Sequence, residues 1–174
     1  MTRTLDPTPL VRLWARRRLH HLRTGNAVKK QAAILRHLRG KAGTTRFGRE
    51  HGFWDVEKVA EYQKAVPIRT YEDFWEHWWQ PDFPVLQDVT WPGKVPFFCV
   101  TSGTTSGTTK YIPLSRETLA QNHRVALDVV AAHVAAYSES CLFGGRSFVL
   151  GGSTALVKEA PGVRSGDLSG IVAK

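Results

Sequence analysis

The hydrophobic pattern at the amino terminus predicts two amphipathic helices. Residues 9–24 carry an apolar stripe at helical spacing that includes Leu13 and Trp14. A second stripe follows and is expected to end at Gly40, because glycine commonly terminates helices. Two short neighbouring helices of this kind predict a helical hairpin over residues 1–42, which buries little surface by itself.

Two shorter helices are predicted in the middle of the chain. Asp55 can cap one of them, and Pro67 ends it. Thr70 with Asp73 resembles a capping box for a second helix over residues 71–79, whose many aromatic side chains are expected to pack in the core. The connectors without strong periodicity are residues 44–53 and 81–96.

The next part of the chain alternates between strand and helix patterns. Residues 95–101 predict a buried strand, and a loop rich in glycine and hydroxyl side chains, residues 101–110, follows it. Ser115 can cap a long helix to about Ser138, and residues 148–150 predict a second short strand. The side chains expected on the buried face of the long helix are Leu119, Ala126, Leu127, Val130, Val134 and Tyr137.

The order strand, loop, helix, strand predicts an α/β fold in which amino-terminal helices precede the first βαβ unit. Residues 158–174 are glycine-rich and give no clear pattern. An open parallel sheet needs more strands than these, so we expect the chain to be the start of a longer protein. The predicted division is a basic helical hairpin at 1–42 and a partial α/β domain at 43–174.

Charge is unevenly distributed along the chain. The net charge is +9, but residues 1–50 hold 13 Lys and Arg against Asp6 and Glu50 alone. Such an excess could attract nucleic acid or an anionic membrane. We favour a solvated helical face, because charge alone specifies no chemistry.

Several patterns for location and metal binding are missing from the sequence. The first ten residues contain no apolar signal-peptide segment, and the apolar stretches are shorter than a membrane span. Cys99 and Cys141 have no metal-ligand spacing and are expected to be buried thiols. The seven histidines also lack ligand spacing. We therefore expect a cytoplasmic protein with no membrane partner and no resident metal.

The loop at residues 101–110 has the composition of an anion-binding site. Its ten residues comprise two glycines, one lysine and seven hydroxyl side chains. Gly103 and Gly107 let main-chain N–H groups approach an anion closely, and the hydroxyls add donors. Lys110 adds a mobile positive charge that suits phosphate oxygens. A triphosphate is the natural ligand for such a loop.

Other motifs fit this loop less well. Three residues separate its two glycines and Tyr111 follows Lys110, so the spacing of a P-loop is not met. Ser106 stands one residue too late for a nucleophile elbow, and the Rossmann fingerprint is missing from this unit. A plain polar surface turn is the alternative, but the preceding strand, paired glycines and closing lysine argue against it.

A family resemblance rests on these residues. Thr101 to Thr105 with Lys110 resemble the phosphate-binding signature, usually Ser-Gly-Thr-Thr-Gly-x-Pro-Lys, of the adenylate-forming superfamily of acyl-CoA synthetases, peptide-synthetase adenylation domains and firefly luciferase. Two departures, Ser106 before Gly107 and Thr109 in place of proline, resemble the version in the Gretchen-Hagen auxin-responsive family of acyl-acid amido synthetases. Further segments similar to that family are Phe47-Gly48, Val66 to Glu72, Lys110 to Pro113 and Gly166 to Gly170.

The resemblance implies a large adenylate-forming domain, of which residues 43–174 would be the amino-terminal part. It implies that a carboxylic acid is adenylated by ATP and then joined to an amino acid as an amide, with Mg²⁺ as the phosphate partner. Lys110 would be the catalytic residue. The residues that would bind the ATP phosphates are Ser102, Gly103, Thr104, Thr105, Ser106, Gly107 and Thr108.

Two alternatives to an active ligase stay open. The chain could be a basic helical binding module, or an inactive fragment of the ligase; these residues alone are expected to have little or no turnover. A second possible site is the acidic group Glu72, Asp73 and Glu76, which could be an acid–base pair. A solvated helix face is favoured for it, because that use of acidic residues is more common.

Overall fold

The computed structural model describes residues 6–101, 109–146, 148 and 151–173. The chain folds into two compact units, one from residues 1–26 and 117–151 and the other from residues 27–116 and 152–174. The sequence predicted a domain boundary at residue 42, which is not a boundary between these two units. That division into domains stays a prediction. The helices are α1 Thr8–Thr24, α2 Ala27–Ala42, α3 Arg46–Glu50, α4 Val59–Ala65, α5 Tyr71–Phe74 with a π-helical continuation Trp75–Trp79 and a 3-10 turn Gln80–Asp82, α6 Arg116–Ala136, and α7 Leu168–Val172. The strands are β1 Phe97–Val100, β2 Tyr111–Leu114, β3 Val157–Ala160 and β4 Val163–Gly166.

The first unit is built on α1 and α6. Ala15 of α1 packs with Ala131 and Val134 of α6, and all three are buried. Small side chains at this contact allow the two helices to approach closely. The guanidinium of Arg18 donates two hydrogen bonds to the Asp128 carboxylate, at 2.7 and 2.8 Å. A small apolar contact and one bidentate ion pair therefore join the two helices.

The predicted buried face of α6 is correct only in part. Val134 is buried and Val130 packs against the small core, as predicted. Leu127 and Tyr137 are more than half exposed instead, and Ala131 takes the central place. Apolar residues surround much of this helix, so its sequence pattern does not fix which side faces α1.

The second helix is longer than predicted. α2 passes through Gly40 and ends at Ala42, whose side chain is buried in the core of the second unit. The prediction that Gly40 ends the helix is wrong, because burial of Ala42 stabilises one more partial turn. Apart from the nearby chain of the helix itself, no atom of the described residues lies within 4 Å of the position that a Cβ of residue 40 would occupy.

The second unit has an aromatic core. Its buried members are Ala42, Phe47, Phe53, Trp78, Leu86, Val89, Val95, Phe98 and Val163. Phe47 lies on α3, in a segment that the sequence predicted only as a connector, and Thr45 caps this helix by accepting the Gly48 N–H at 3.0 Å. A Cβ on residue 48 would lie 2.0 Å from the carbonyl oxygen of Ala42, so glycine is required there.

The sheet in this unit is mixed, with strand order β2-β1-β4-β3. β1 pairs antiparallel with β2 and parallel with β4, and β3 pairs antiparallel with β4. The α/β fold class is therefore confirmed, and β1 lies where the sequence predicted a buried strand. The parallel partner of β1 is β4, however, in the segment that gave no clear pattern.

Two other predictions concern a second strand at residues 148–150 and the burial of the cysteines. The strand predicted at 148–150 lies mostly outside the described residues, and the described Phe148 is exposed and belongs to no strand. Of the two cysteines expected to be buried, Cys99 is half-buried and Cys141 is exposed. Among the described residues, none of the helices has the length and apolar content needed to cross a lipid bilayer.

Candidate functional site

The glycine- and hydroxyl-rich loop connects two antiparallel strands. Val100 at the end of β1 is paired with Tyr111 at the start of β2, and the Thr101 N–H donates to the Lys110 carbonyl at 3.1 Å. The sequence placed a helix next after the loop, and that expectation is corrected by the intervening strand β2. The predicted phosphate-binding residues 102–108 lie outside the described residues, so their role stays a prediction.

The predicted catalytic residue, Lys110, lies at the base of this loop. Its Nζ is 2.6 Å from Oε1 of Glu72 and 4.7 Å from the centroid of the Tyr71 ring. The Lys110 side chain is 29% exposed and that of Glu72 is 59% exposed. The hydrogen bond from Lys110 lowers the pKa of Glu72 from its ordinary value. The ammonium is therefore held between a carboxylate and an aromatic face.

Helix α5 carries both of these contacts. The predicted capping box is present: the Asp73 N–H donates to Thr70 Oγ1 at 3.2 Å, and the Thr70 N–H donates to Asp73 Oδ2 at 2.9 Å. The bond from the Thr70 backbone also lowers the pKa of Asp73. Glu72 and Glu76 are exposed, as predicted for a solvated helix face, while Glu72 also binds Lys110 and Asp73 fixes the start of the helix.

Tyr71 ties α5 to the strand that follows the loop. Its hydroxyl accepts the Tyr111 N–H at 2.9 Å and donates to the Tyr111 carbonyl at 3.3 Å. Because β2 lies at the edge of the sheet among the described strands, this hydroxyl satisfies backbone groups that none of those strands pairs with. Burial raises the pKa of the Tyr71 phenol, so the hydroxyl keeps its proton at neutral pH.

A second glycine- and serine-containing segment lies at the end of β4. The Asp167 carboxylate accepts the Ser153 N–H at 3.0 Å, and Ser169 Oγ accepts the Gly152 N–H at 2.9 Å. A Cβ on Gly170 would lie 2.2 Å from the Ser153 carbonyl oxygen, so the contact is tight. The sequence singled out Gly166 to Gly170 through the family resemblance alone and gave no signal for its contact with residues 152–153.

The two segments share one edge of the sheet. β1 and β4 are parallel, so Thr101 and Asp167 both leave the sheet at the carboxyl ends of their strands. Lys110 and Asp167 flank the end of β1 on its two sides. Two usual strand spacings put their backbones about 10 Å apart. Ligands in open α/β sheets bind at such an edge, and this edge is therefore the candidate site.

The described side chains include no group suited to hold a metal ion by itself. In the described ranges, no three His, Cys, Asp or Glu side chains come together as a metal site. His51 has a structural environment: its ring stacks on Phe47 with centroids 4.1 Å apart, and its Nε2 is 2.8 Å from Nη1 of Arg69. The nitrogen Nδ1 lies 2.8 Å from the Phe47 carbonyl oxygen.

These features define an α/β protein with a lysine at the base of a loop at the carboxyl edge of the sheet. Comparison with protein families matches the chain to the GH3 family N-terminal domain over residues 16–174. The chain belongs to this family, which is that of the auxin-responsive acyl-acid amido synthetases, a group of ligases. Comparison with individual curated proteins gave no match.

Proposed function

We propose that this chain supplies the triphosphate-binding part of an ATP-dependent acid–amino acid ligase. In the proposed reaction a carboxylic acid displaces pyrophosphate from ATP to give an acyl adenylate, and the amine of an amino acid then displaces AMP to give an amide. The observation that carries the proposal is the position of Lys110, an ammonium at the base of a glycine- and hydroxyl-rich loop. Family membership supports the same chemistry.

The described residues suit a polyphosphate ligand. An ammonium has three N–H donors, so the contact with Glu72 is compatible with further contacts to phosphate oxygens. Lys110 would hold the β- and γ-phosphates and offset their charge, and residues 102–108 would donate from backbone amides and hydroxyls. Mg²⁺ would come bound to the triphosphate, since Mg²⁺ is usually held by substrate phosphates with few protein ligands. When bound, ATP supplies an activated phosphorus and a leaving group.

Direct binding of Mg²⁺-ATP to wild-type and Lys110→Ala protein tests the proposal. Loss of a charged hydrogen-bond donor costs about 1.5–3 kcal/mol, so the affinity should fall by about tenfold to hundredfold. Lys158→Ala is the matched control, because Lys158 is an exposed lysine on β3 of the same sheet. Titration calorimetry provides the dissociation constants.

Equal affinity of the wild-type and Lys110→Ala proteins for ATP would refute the proposed role. Binding of DNA or anionic vesicles that is lost at high salt, without ATP binding, would instead favour a basic binding module. ATP–pyrophosphate exchange with a panel of carboxylic acids, in the presence of this chain, reports on the adenylation step itself.

A further inference from the structure

The Glu72 carboxylate accepts a hydrogen bond from the proposed phosphate-binding lysine, Lys110, although the two residues lie 38 positions apart along the chain. We propose that Glu72 is a positioning residue: it holds the Lys110 ammonium at the base of the loop in the orientation that a triphosphate requires. This inference rests on the proposed function and adds to it a residue that acts through Lys110.

Neighbouring contacts, in addition to the ion pair, bring Glu72 to Lys110. Glu72 lies in the first turn of α5, whose start is fixed by the Thr70–Asp73 capping box. Tyr71, its neighbour, holds both backbone polar groups of Tyr111, the neighbour of Lys110. Two adjacent residues of the helix therefore contact Tyr111, the first residue of β2, and Lys110 immediately before it. These contacts place the carboxylate next to the ammonium.

The contact does little for stability. A solvent-exposed ion pair contributes about 0–1 kcal/mol, and Glu72 is largely exposed. A lysine side chain, however, carries about 2 kcal/mol of rotamer entropy, part of which is lost whenever its ammonium binds an anion at a fixed place. The carboxylate on one side and the Tyr71 ring on the other reduce this freedom before the ligand arrives.

A negative charge at Glu72 also has an opposing effect, since it repels phosphates. Two features make positioning the larger effect. The carboxylate accepts one hydrogen bond from Lys110 at 2.6 Å, which leaves the other N–H donors of the ammonium for the ligand, and its exposure allows solvent and salt to screen its charge. Protein kinases offer a parallel, since an ion pair between a helix glutamate and the lysine near the phosphates must be in place for their activity.

The first arm of the test measures Lys110 without any nucleotide. Amine acylation by an N-hydroxysuccinimide ester, followed by mass spectrometry of the peptide that contains Lys110, gives its modification rate. In Glu72→Gln the rate should rise about threefold or more, because the ammonium loses its hydrogen-bonded carboxylate. Glu76→Gln is the matched control: Glu76 is exposed and lies four residues further along the chain, so the rate at Lys110 should stay at the wild-type value.

The second arm measures affinity for Mg²⁺-ATP in a double-mutant cycle. Glu72→Gln should weaken binding about threefold to tenfold in the wild-type background, since part of the rotamer entropy must again be lost on binding. In the Lys110→Ala background the same change should have no effect. A merely structural role for Glu72 would reduce affinity in both backgrounds, and thermal unfolding checks that each variant is folded.

The outcomes separate this inference from the proposed function. If wild-type protein binds ATP and Glu72→Gln binds it equally or more tightly, the positioning role is overturned while the phosphate site stands. If wild-type protein does not bind ATP, the proposed function and this inference both fall. An unchanged acylation rate at Lys110 in Glu72→Gln would also overturn the inference.

Discussion

The two compact units of this protein use apolar side chains in different ways. The second unit buries large rings and aliphatic side chains together, and Phe98, Leu86 and Val163 are fully buried in it. The first unit buries mainly small residues, with Ala15, Ala131 and Val134 at its centre. The large apolar residues of its helices are more exposed.

The exposed set in α1 and α6 includes Leu10, Leu13, Leu22, Val125, Leu127 and Val129. Apolar periodicity along a helix is therefore no measure of burial in this chain. The second unit gains stability from contacts among residues far apart in sequence, and these contacts also position α5 and the β1–β2 hairpin at the candidate site. In the first unit, the described contacts between α1 and α6 include a small apolar cluster and the Arg18–Asp128 ion pair.

The largest expected effect is a core truncation in the second unit. Phe98→Ala should lower the free energy of unfolding by about 3–5 kcal/mol, because it removes a fully buried ring from a packed site. Five of the six tryptophans lie between residues 54 and 91, so tryptophan fluorescence during urea unfolding reports on this unit. Leu10→Ala, on an exposed position of α1, should change the free energy by about 0.5 kcal/mol or less. Equal effects from both changes would contradict the comparison between the units.

A pair of glycine substitutions compares packed with open backbone inside the second unit. Gly48→Ala should destabilise by about 1–3 kcal/mol, because the new Cβ would clash with the backbone of Ala42. Gly40→Ala should stabilise by about 0.5–1 kcal/mol, since the site is open and alanine favours a helix. Urea midpoints of the two variants measure both effects, and the same sign for both would show that the tight contact at Gly48 is wrong.

The smallest effect concerns the ion pair of the first unit and its pH dependence. The hydrogen bonds from Arg18 lower the pKa of Asp128 in the folded state. Their contribution to stability is therefore present above the unfolded pKa, about 4, and is lost as the pH falls through the lowered folded value. The stability difference between wild-type protein and Asp128→Asn should be small, constant from about pH 7 to pH 5, and should close below about pH 4.

Circular dichroism at 222 nm follows the helices in this experiment, of which α1 and α6 are the two longest that are described. Glu139→Gln is the control carboxylate. Glu139 is an exposed residue of the same unit, with Ser138 Oγ as its side-chain partner. A difference between wild-type protein and Asp128→Asn that persists unchanged to pH 2.5 would mean that the carboxylate charge is not what stabilises the pair.

Local sequence patterns determined a large share of the structure. Several features could be recognised from residues that are close together in sequence. They are strand β1, the capping box at Thr70 and Asp73, the long helix α6 and the glycine- and hydroxyl-rich composition of residues 101–110. Side-chain caps, apolar periodicity and hydroxyl content act within one or two turns of chain, so they can be found without knowing the fold. The family resemblance rested on the same local residues.

Only the tertiary structure decided which distant residues meet. The pairing of β1 with β4, the burial of Phe47 and the contact between Glu72 and Lys110 each join segments far apart in sequence. Strand order and ion pairs of this kind depend on the balance of all packing contacts at once, and a periodicity in one segment says nothing about its partner. For that reason the sequence predicted a phosphate-binding lysine, while the fold alone revealed the carboxylate that holds it.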